Sequence, residues 1–155
     1  MRIENMDVTD VNVLRDIISQ CQVVRVGMCT KNKPYIVPLN YGYEISNEQL
    51  ILYCYCTSEG KKLDILRENP NVFIEIDREN NLIQKDASYK SEYFSILSSG
   101  KAEFVDLIYD KIHGLNKIIE HQASHNNSKI KHESINNINL IKIKCNNLTA
   151  KNCFI

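Results

Sequence analysis

The sequence predicts a mainly β fold, a six-stranded antiparallel barrel with peripheral helices. Apolar and β-branched segments recur at short intervals and are separated by turn-forming residues. A single short helical segment, residues 60–68, lies between the third and fourth of these strands. Because a parallel sheet needs helices that alternate with its strands, an antiparallel barrel agrees better with this pattern.

Length and charge limit the classes of function. The chain has 155 residues, so we expect residues 1–155 to form a single domain with its own hydrophobic core. Nineteen Lys plus Arg balance nineteen Asp plus Glu, which gives no indication of a nucleic-acid-binding surface. Residues 1–10 resemble neither a signal peptide nor a transit peptide, and no segment matches a membrane span. We therefore expect a cytoplasmic protein without a membrane partner.

The first half of the chain combines one amphipathic helix with the first strands. Asp10 is a suitable N-cap, and apolar residues follow it at helical spacing as far as Cys21. Turn-forming residues at 30–34 and 46–47 separate the strands that come next. The six predicted strands are residues 22–29, 35–44, 50–56, 72–77, 93–105 and 138–145.

The second half contains one more helix and two polar segments. Residues 77–91 are polar and are predicted to form a loop. Asp106 is expected to cap a helix that ends near His121, although Gly114 weakens the helical pattern. Residues 122–137 are rich in Asn, Ser and His and are predicted to be a flexible connection.

An anion-binding segment is indicated where the third strand ends. The strand stops before Gly60, and a helix follows with Lys61 and Lys62 in its first turn. Free backbone N–H groups and the helix dipole favour an anion there, and the lysines add formal charge. Thr57 and Ser58 can donate hydroxyl hydrogen bonds. In the alternative interpretation one of these hydroxyls caps the helix and both lysines are ordinary surface residues.

A proline interrupts the second strand. Pro38 cannot donate a hydrogen bond to a neighbouring strand. Two interpretations are possible. In the first, Pro38 lies on an edge strand or at a bulge. In the second, the backbone from Pro38 to Asn40 is free to contact the edge of a flat ligand.

The cysteines and histidines do not form a recognisable metal site. Cys54 and Cys56 form a C-x-C pair, and His121 and His125 are four residues apart, but neither pair has further ligands at close spacing. Cys56 lies near the two lysines, but buried strand cysteines are usually inert. The pattern is typical of buried thiols in a reducing compartment. The six cysteines are Cys21, Cys29, Cys54, Cys56, Cys145 and Cys153.

Four short motifs follow one another along the chain. They are Tyr35 to Tyr41 (YIVPLNY), Leu52 to Asp64 (LYCYCTSEGKKLD), Asn69-Pro70, and Tyr93 to Ser95 with Gly100 to Glu103. In this order they resemble the pyridoxamine 5′-phosphate oxidase-like flavin-binding split barrels, and within them the nitroimidazole-resistance branch. The resemblance extends from about Cys21 to Lys151 and includes Leu148 to Lys151, where relatives usually carry Thr-Gly-Lys.

The resemblance implies a fold, a cofactor and a set of binding residues. The fold is a six-stranded antiparallel split barrel, and the protein is a homodimer with FMN at the subunit interface. Lys61 and Lys62 would hold the FMN phosphate, and the side chain of Ser95 would also reach it. The residues that would line the ring and the ribityl chain are Tyr35, Pro38, Leu39, Asn40, Tyr55 and Cys56.

The implied activity is that of an oxidoreductase that reduces a small electron acceptor such as a nitroaromatic. Resistance-type relatives usually carry an active-site histidine where this chain has Tyr55. Tyrosine stays neutral near pH 7 and cannot replace histidine as an acid or base in that range. Tyr55 could instead donate a hydrogen bond to the acceptor. The alternatives are a non-catalytic flavin- or haem-binding carrier or sensor, and a cofactor-free dimeric scaffold.

Overall fold

The structure is a computed structural model that describes residues 6–7, 10–85, 88–123, 135 and 137–154. Within these residues, one antiparallel sheet of eight strands is flanked by three helices of eight residues or more. None of the described helices has the length and apolar character needed to cross a membrane. The elements are β1 (Met6–Asp7), α1 (Val11–Ser19), β2 (Val23–Thr30), β3 (Lys33–Asn40), β4 (Gly42–Ser46), β5 (Gln49–Cys56), α2 (Lys61–Glu68), β6 (Asn71–Lys85), β7 (Ser88–Val105), α3 (Ile108–Gln122) and β8 (Asn139–Phe154).

The strands form a sheet that curls into a split barrel. Their order is β3-β2-β6-β7-β8-β5-β4, and β1 pairs with β8 outside this path. The two ends of the sheet lie close together: β3, the first strand in this order, contacts β5, the last but one. No pairing joins β3 to β4 in the part of the chain that the structure describes, so the barrel is split at that position. The predicted antiparallel split barrel is confirmed.

The barrel interior is the main hydrophobic core. Alternate side chains of the strands point inward, as the two-residue period of a strand requires. Helix α1 adds Leu14 and Ile18 to this core, and α2 adds Leu63, Ile65 and Leu66. Burial of one such side chain contributes about 1.5–3 kcal/mol. The completely buried strand residues include Val24, Leu52, Cys54, Ile74, Ile76 and Ile96.

Helix α3 covers a second hydrophobic cluster on the outer face of the sheet, and two glycines allow its close approach. A Cβ at Gly114 would lie 2.5 Å from Leu140 Cδ2 and 2.6 Å from Tyr53 Cδ1. A Cβ at Gly42 would lie 2.2 Å from the backbone N of Ile118. Gly114 weakens the helical pattern, and these contacts give the reason for its presence. The cluster consists of Ile51, Tyr53, Val105, Leu115, Ile118, Ile135 and Leu140.

Two boundary predictions in the first half of the chain have different outcomes. The N-cap at Asp10 is confirmed, since its carboxylate accepts from Asn12 N at 2.8 Å. The single strand over 35–44 is wrong. Tyr41 is buried between β3 and β4, where its hydroxyl donates to Cys21 O at 2.7 Å. This buried tyrosine separates the predicted strand into two, so seven strands replace the predicted six, in addition to the two-residue β1.

Three predictions in the second half are wrong. Residues 77–85 and 88–91 are not a loop, because β6 and β7 continue their pairing as far as Lys85 and Ser88. The last strand does not end at Cys145, since β8 stays paired with β7 up to Phe154. The residue that caps α3 is Leu107 rather than Asp106. Most of the connection predicted for 122–137 lies outside the described residues.

The close contact at Gly42 predicts a large effect of a single methyl group. We expect Gly42→Ala to lower the free energy of unfolding by at least ~2 kcal/mol, because the added Cβ meets the backbone of α3, which cannot rotate away. Urea denaturation followed by circular dichroism measures this change. Gly27→Ala is the comparison variant with a smaller expected loss, since its added Cβ would lie 3.2 Å from its nearest neighbour, Phe73 O, a tight contact rather than an overlap. Equal losses in the two variants would contradict the packing described for α3.

Candidate functional site

The segment between β5 and α2 has a backbone that favours glycine. Gly60 has a φ of 147°, which side chains rarely adopt, and the space around its Cβ position is open. Gly60 is also the N-cap of α2, and no side chain caps this helix. The hydroxyl of Thr57 donates instead to Glu59 O at 2.9 Å. The interpretation of Thr57 or Ser58 as the helix cap is therefore wrong.

The carbonyl oxygens of residues 57–60 all accept hydrogen bonds from the protein. By contrast, no acceptor among the described residues takes the backbone N–H groups of residues 58–62. Five successive donors are therefore available to an anion or to solvent, which is the arrangement of an anion-binding helix N-terminus. The carbonyl bonds are Thr57 O and Ser58 O with Asn139 Nδ2 (3.2 Å each), Glu59 O with Thr57 Oγ1 (2.9 Å), and Gly60 O with Leu63 N (2.9 Å).

The two lysines add positive charge to these donors. Lys61 Nζ lies 4.6 Å from the centroid of the Tyr35 ring, a cation–π distance that holds the ammonium above β3. No carboxylate of the described residues forms an ion pair with Lys61 or Lys62. The structure therefore brings together Tyr35, the two lysines and the free N–H groups.

The environment of Cys56 opposes a nucleophilic role. Its side chain is buried, and burial raises the pKa of the thiol while Lys62 lowers it to a smaller extent. The net shift is upward, so the thiolate that a nucleophile needs is disfavoured near pH 7. Cys56 can line the site, but its chemistry there is that of a small apolar side chain.

Strand β3 is an edge of the sheet, which confirms one of the two interpretations of Pro38. Its one paired neighbour in the described sheet is β2, where Pro38 lies opposite Arg25. Tyr35 and Leu39 are half-buried and pack against the barrel core, whereas Pro38 and Asn40 are exposed. The outer edge of β3 is therefore free for a ligand or for another chain.

Two further predicted residues lie on other strands. Tyr55 is 51% exposed near the end of β5, opposite Leu140 of β8. Ser95 lies on β7 between its partners Asp77 and Lys151, and β8 separates β7 from β5. Within the described residues, Ser95 donates no hydrogen bond to the segment 57–62. Its predicted contact with a phosphate stays a prediction.

A polar cluster between α3 and the sheet is not predicted by the sequence. Glu44 accepts from Tyr53 Oη at 2.6 Å and from His113 Nε2 at 2.9 Å. Burial opposes ionisation of Glu44, but these two hydrogen bonds keep the pKa of its carboxyl below the usual value. The three side chains line a cavity of about 570 Å³. Because His113 is 69 positions from Glu44 in the sequence, no spacing pattern indicates the cluster.

Asn139 is a second residue near the site that the sequence does not predict. It is the first residue of β8 and lies opposite Cys56 of β5, which brings its amide to the carbonyls of Thr57 and Ser58. The surrounding sequence contains several asparagines, so the residue type alone does not distinguish this one. The pairing register of β5 with β8 is the information that identifies it.

Comparison with known proteins assigns the family. A family model described as pyridoxamine 5′-phosphate oxidase matches residues 10–152. The chain belongs to this family. A candidate 5-nitroimidazole antibiotic resistance protein from Bacteroides thetaiotaomicron VPI-5482 has a similar structure, with a TM-score of 0.81 and 27% identity, over 96% of this chain and 87% of that chain.

Two further proteins are similar to this chain. A FAD-binding protein from Mesorhizobium loti has the same fold as this member of the pyridoxamine 5′-phosphate oxidase family. The TM-score is 0.68 and the identity 19%, over 97% of this chain and 99% of that chain. An uncharacterized protein from Rhizobium meliloti (strain 1021) is 32% identical over 60 residues, which is 39% of this chain. The match spans 36% of the length of that curated relative.

Proposed function

We propose that this member of the pyridoxamine 5′-phosphate oxidase family binds FMN and that the segment 57–62 holds its phosphate. The observation that carries the proposal is the separation of donors and acceptors in this segment. Its carbonyl oxygens are occupied by protein donors, while the N–H groups of residues 58–62 have no acceptor among the described residues. A doubly charged phosphate fits such a set of donors, whereas a cation does not.

The lysine side chains complete this anchor. Lys61, above the ring of Tyr35, and Lys62, near Cys56, would each place a positive charge beside the phosphate. Hydrogen bonds to charged groups contribute about 1.5–3 kcal/mol each, which is more than a neutral donor supplies. The open space beside Gly60 leaves room for a phosphate at the backbone. The FAD-binding protein from Mesorhizobium loti has the same fold, which supports a flavin as the ligand.

The remaining predicted residues would form the wall along the flavin. The free edge of β3 would present backbone groups from Pro38 to Asn40 to the ring, and Tyr35 and Leu39 would support it from the barrel side. Tyr55, exposed at the end of β5, would lie beside the ring. Ser95 is the proposed additional phosphate contact.

We propose that the activity is the reduction of a small electron acceptor such as a nitroaromatic. Bound FMN supplies the transfer of reducing equivalents between a donor and an acceptor. The protein would bind and orient both molecules and exclude water. The hydroxyl of Tyr55 would donate a hydrogen bond to the acceptor. The similarity to a candidate 5-nitroimidazole resistance protein supports this acceptor class.

A homodimer is proposed because one sheet face is apolar and exposed. Ile36 of β3 is 65% exposed and Phe73 of β6 is 53% exposed. Both line a cavity of about 590 Å³ together with Gly27 and Pro34. Exposed apolar patches of this kind mark protein interfaces. A second copy packed here would lie next to the free edge of β3, where FMN is proposed to bind.

The phosphate anchor predicts a difference between two flavins. We expect Lys61→Ala to weaken FMN binding on the order of 10- to 100-fold, since a charged hydrogen bond is lost, while riboflavin, which has no phosphate, binds as before. Quenching of flavin fluorescence measures both affinities. Lys101→Ala, at an exposed lysine of β7, is the matched control. An equal loss for FMN and riboflavin would place Lys61 away from the phosphate.

The role of Tyr55 is tested by turnover. In the assay, the FMN-loaded protein is reduced with a nicotinamide donor and then reoxidised with a nitro compound. We expect Tyr55→Phe to slow the reoxidation about 5- to 20-fold, because one hydrogen bond to the acceptor is lost. Unchanged turnover in Tyr55→Phe would refute the hydroxyl as a donor to the acceptor. A wild-type protein that binds FMN but shows no turnover would favour the carrier or sensor.

The proposed interface is tested by molar mass in solution. Phe73→Glu places a charge in the centre of the apolar face, so we expect the variant to be monomeric where the wild type is a dimer. Light scattering after size-exclusion chromatography gives the masses. Tyr109→Glu, at an aromatic residue that is 83% exposed on α3, should leave the dimer intact. A dimeric Phe73→Glu variant would exclude this face as the interface.

A further inference from the structure

We infer that Asn139 is a positioning residue that holds the segment 57–60 in its phosphate-binding form. The inference rests on the proposed function, because it assigns a role within the same phosphate site. Asn139 would not touch the flavin. Its side chain acts on the opposite side of the segment, through two carbonyl oxygens.

The position of Asn139 is fixed by the sheet. It begins β8, a strand with neighbours on both sides, and lies opposite the last residue of β5, Cys56. From there its Nδ2 lies 3.2 Å from Thr57 O and 3.2 Å from Ser58 O. One side-chain amide therefore donates to two successive carbonyls immediately after the strand ends. A donor on a paired strand is a more rigid support than one on a loop.

Peptide geometry connects these bonds to the anion donors. In a planar trans peptide the C=O and the following N–H point in opposite directions. When Asn139 holds the carbonyls of Thr57 and Ser58, the N–H groups of Ser58 and Glu59 point away from β8. The bond from Thr57 Oγ1 to Glu59 O orients the N–H of Gly60 in the same manner. The side chains of Asn139 and Thr57 thus orient three of the five free donors.

The charge of the ligand makes this orientation important. A carbonyl oxygen that rotated toward a phosphate would repel it, and the N–H on its other side would be lost as a donor. Without Asn139, the exposed segment can sample such orientations, and FMN has to select the productive one. The loss of affinity should therefore depend on the phosphate and not on the isoalloxazine ring.

Two substitutions at Asn139 test this role, with binding affinity as the readout. Asn139→Ala removes the amide, and Asn139→Asp keeps its size but replaces the donor by an oxygen that repels both carbonyls. We expect a loss of FMN affinity of roughly 3- to 10-fold for the alanine variant, from one or two neutral hydrogen bonds, and a larger loss for the aspartate variant. Riboflavin affinity should change less than about two-fold in both, because it makes no phosphate contact.

A second variant and a control separate positioning from general destabilisation. Thr57→Val removes the hydroxyl that holds Glu59 O but keeps the shape of the side chain, so it should reproduce the selective loss for FMN. Asn146→Ala removes an exposed amide seven residues further along β8 and should leave both affinities unchanged. Thermal unfolding of the flavin-free variants shows that each remains folded.

The outcomes distinguish this inference from the proposed function. If the wild type prefers FMN to riboflavin but the Asn139 variants bind both as the wild type does, the phosphate anchor stands and the role of Asn139 is refuted. Equal losses for FMN and riboflavin also refute it, because they show a structural effect. A wild type without a preference for FMN contradicts the phosphate anchor itself, and with it the role of Asn139.

Discussion

The pairing of β5 with β8 is the interaction on which the candidate site depends. Strand β5 brings Tyr55 and Cys56 to the end of the barrel, and β8 holds them through its residues Leu140 and Asn139. The same pairing supports the outer cluster, where α3 packs on Tyr53 and Leu140. Because β8 also pairs with β7, the site rests on a strand that is fixed on both sides.

The segment after β5 uses this rigid base to keep polar groups unpaired at the surface. Gly60 adopts a φ that other residues avoid, and α2 begins without a side-chain cap. A serine or aspartate in place of Gly60 would have to adopt a φ that side chains rarely adopt, and its side-chain oxygen would occupy the donors that an anion needs. The helix start therefore keeps these N–H groups uncapped, a departure from the usual capping of helices that is common at functional sites.

The fold could be predicted from local pattern to a large extent. Strand-forming segments, the first helix with its cap at Asp10, and the entry into α2 at Gly60 all follow from residue type and spacing. The pairing of β6 with β7 over the polar residues 77–85 and 88–91 could not be found this way, because it is made by the backbone and the sequence there has no apolar pattern. At the break between β3 and β4, Tyr41 is buried and its hydroxyl donates to Cys21 O, a contact between residues 20 positions apart that local pattern does not indicate.

The candidate site shows the same limit. Lys61 and Lys62 are adjacent to a strand end and a glycine, so their chemistry can be predicted from the sequence. The cation–π contact with Tyr35 and the bonds from Asn139 join residues that are 26 and about 80 positions apart, and only the strand register brings them together. Local sequence therefore predicts the charge of the site, whereas the groups that orient it follow from the three-dimensional fold.

The central claim, that this chain holds FMN, is tested most directly by the visible absorption spectrum of the purified protein. We predict a flavin spectrum, present after purification or after incubation with FMN and removal of the excess, with FMN released when the protein is unfolded. A protein that is colourless and remains so after incubation with FMN would contradict the account and favour a cofactor-free dimeric scaffold.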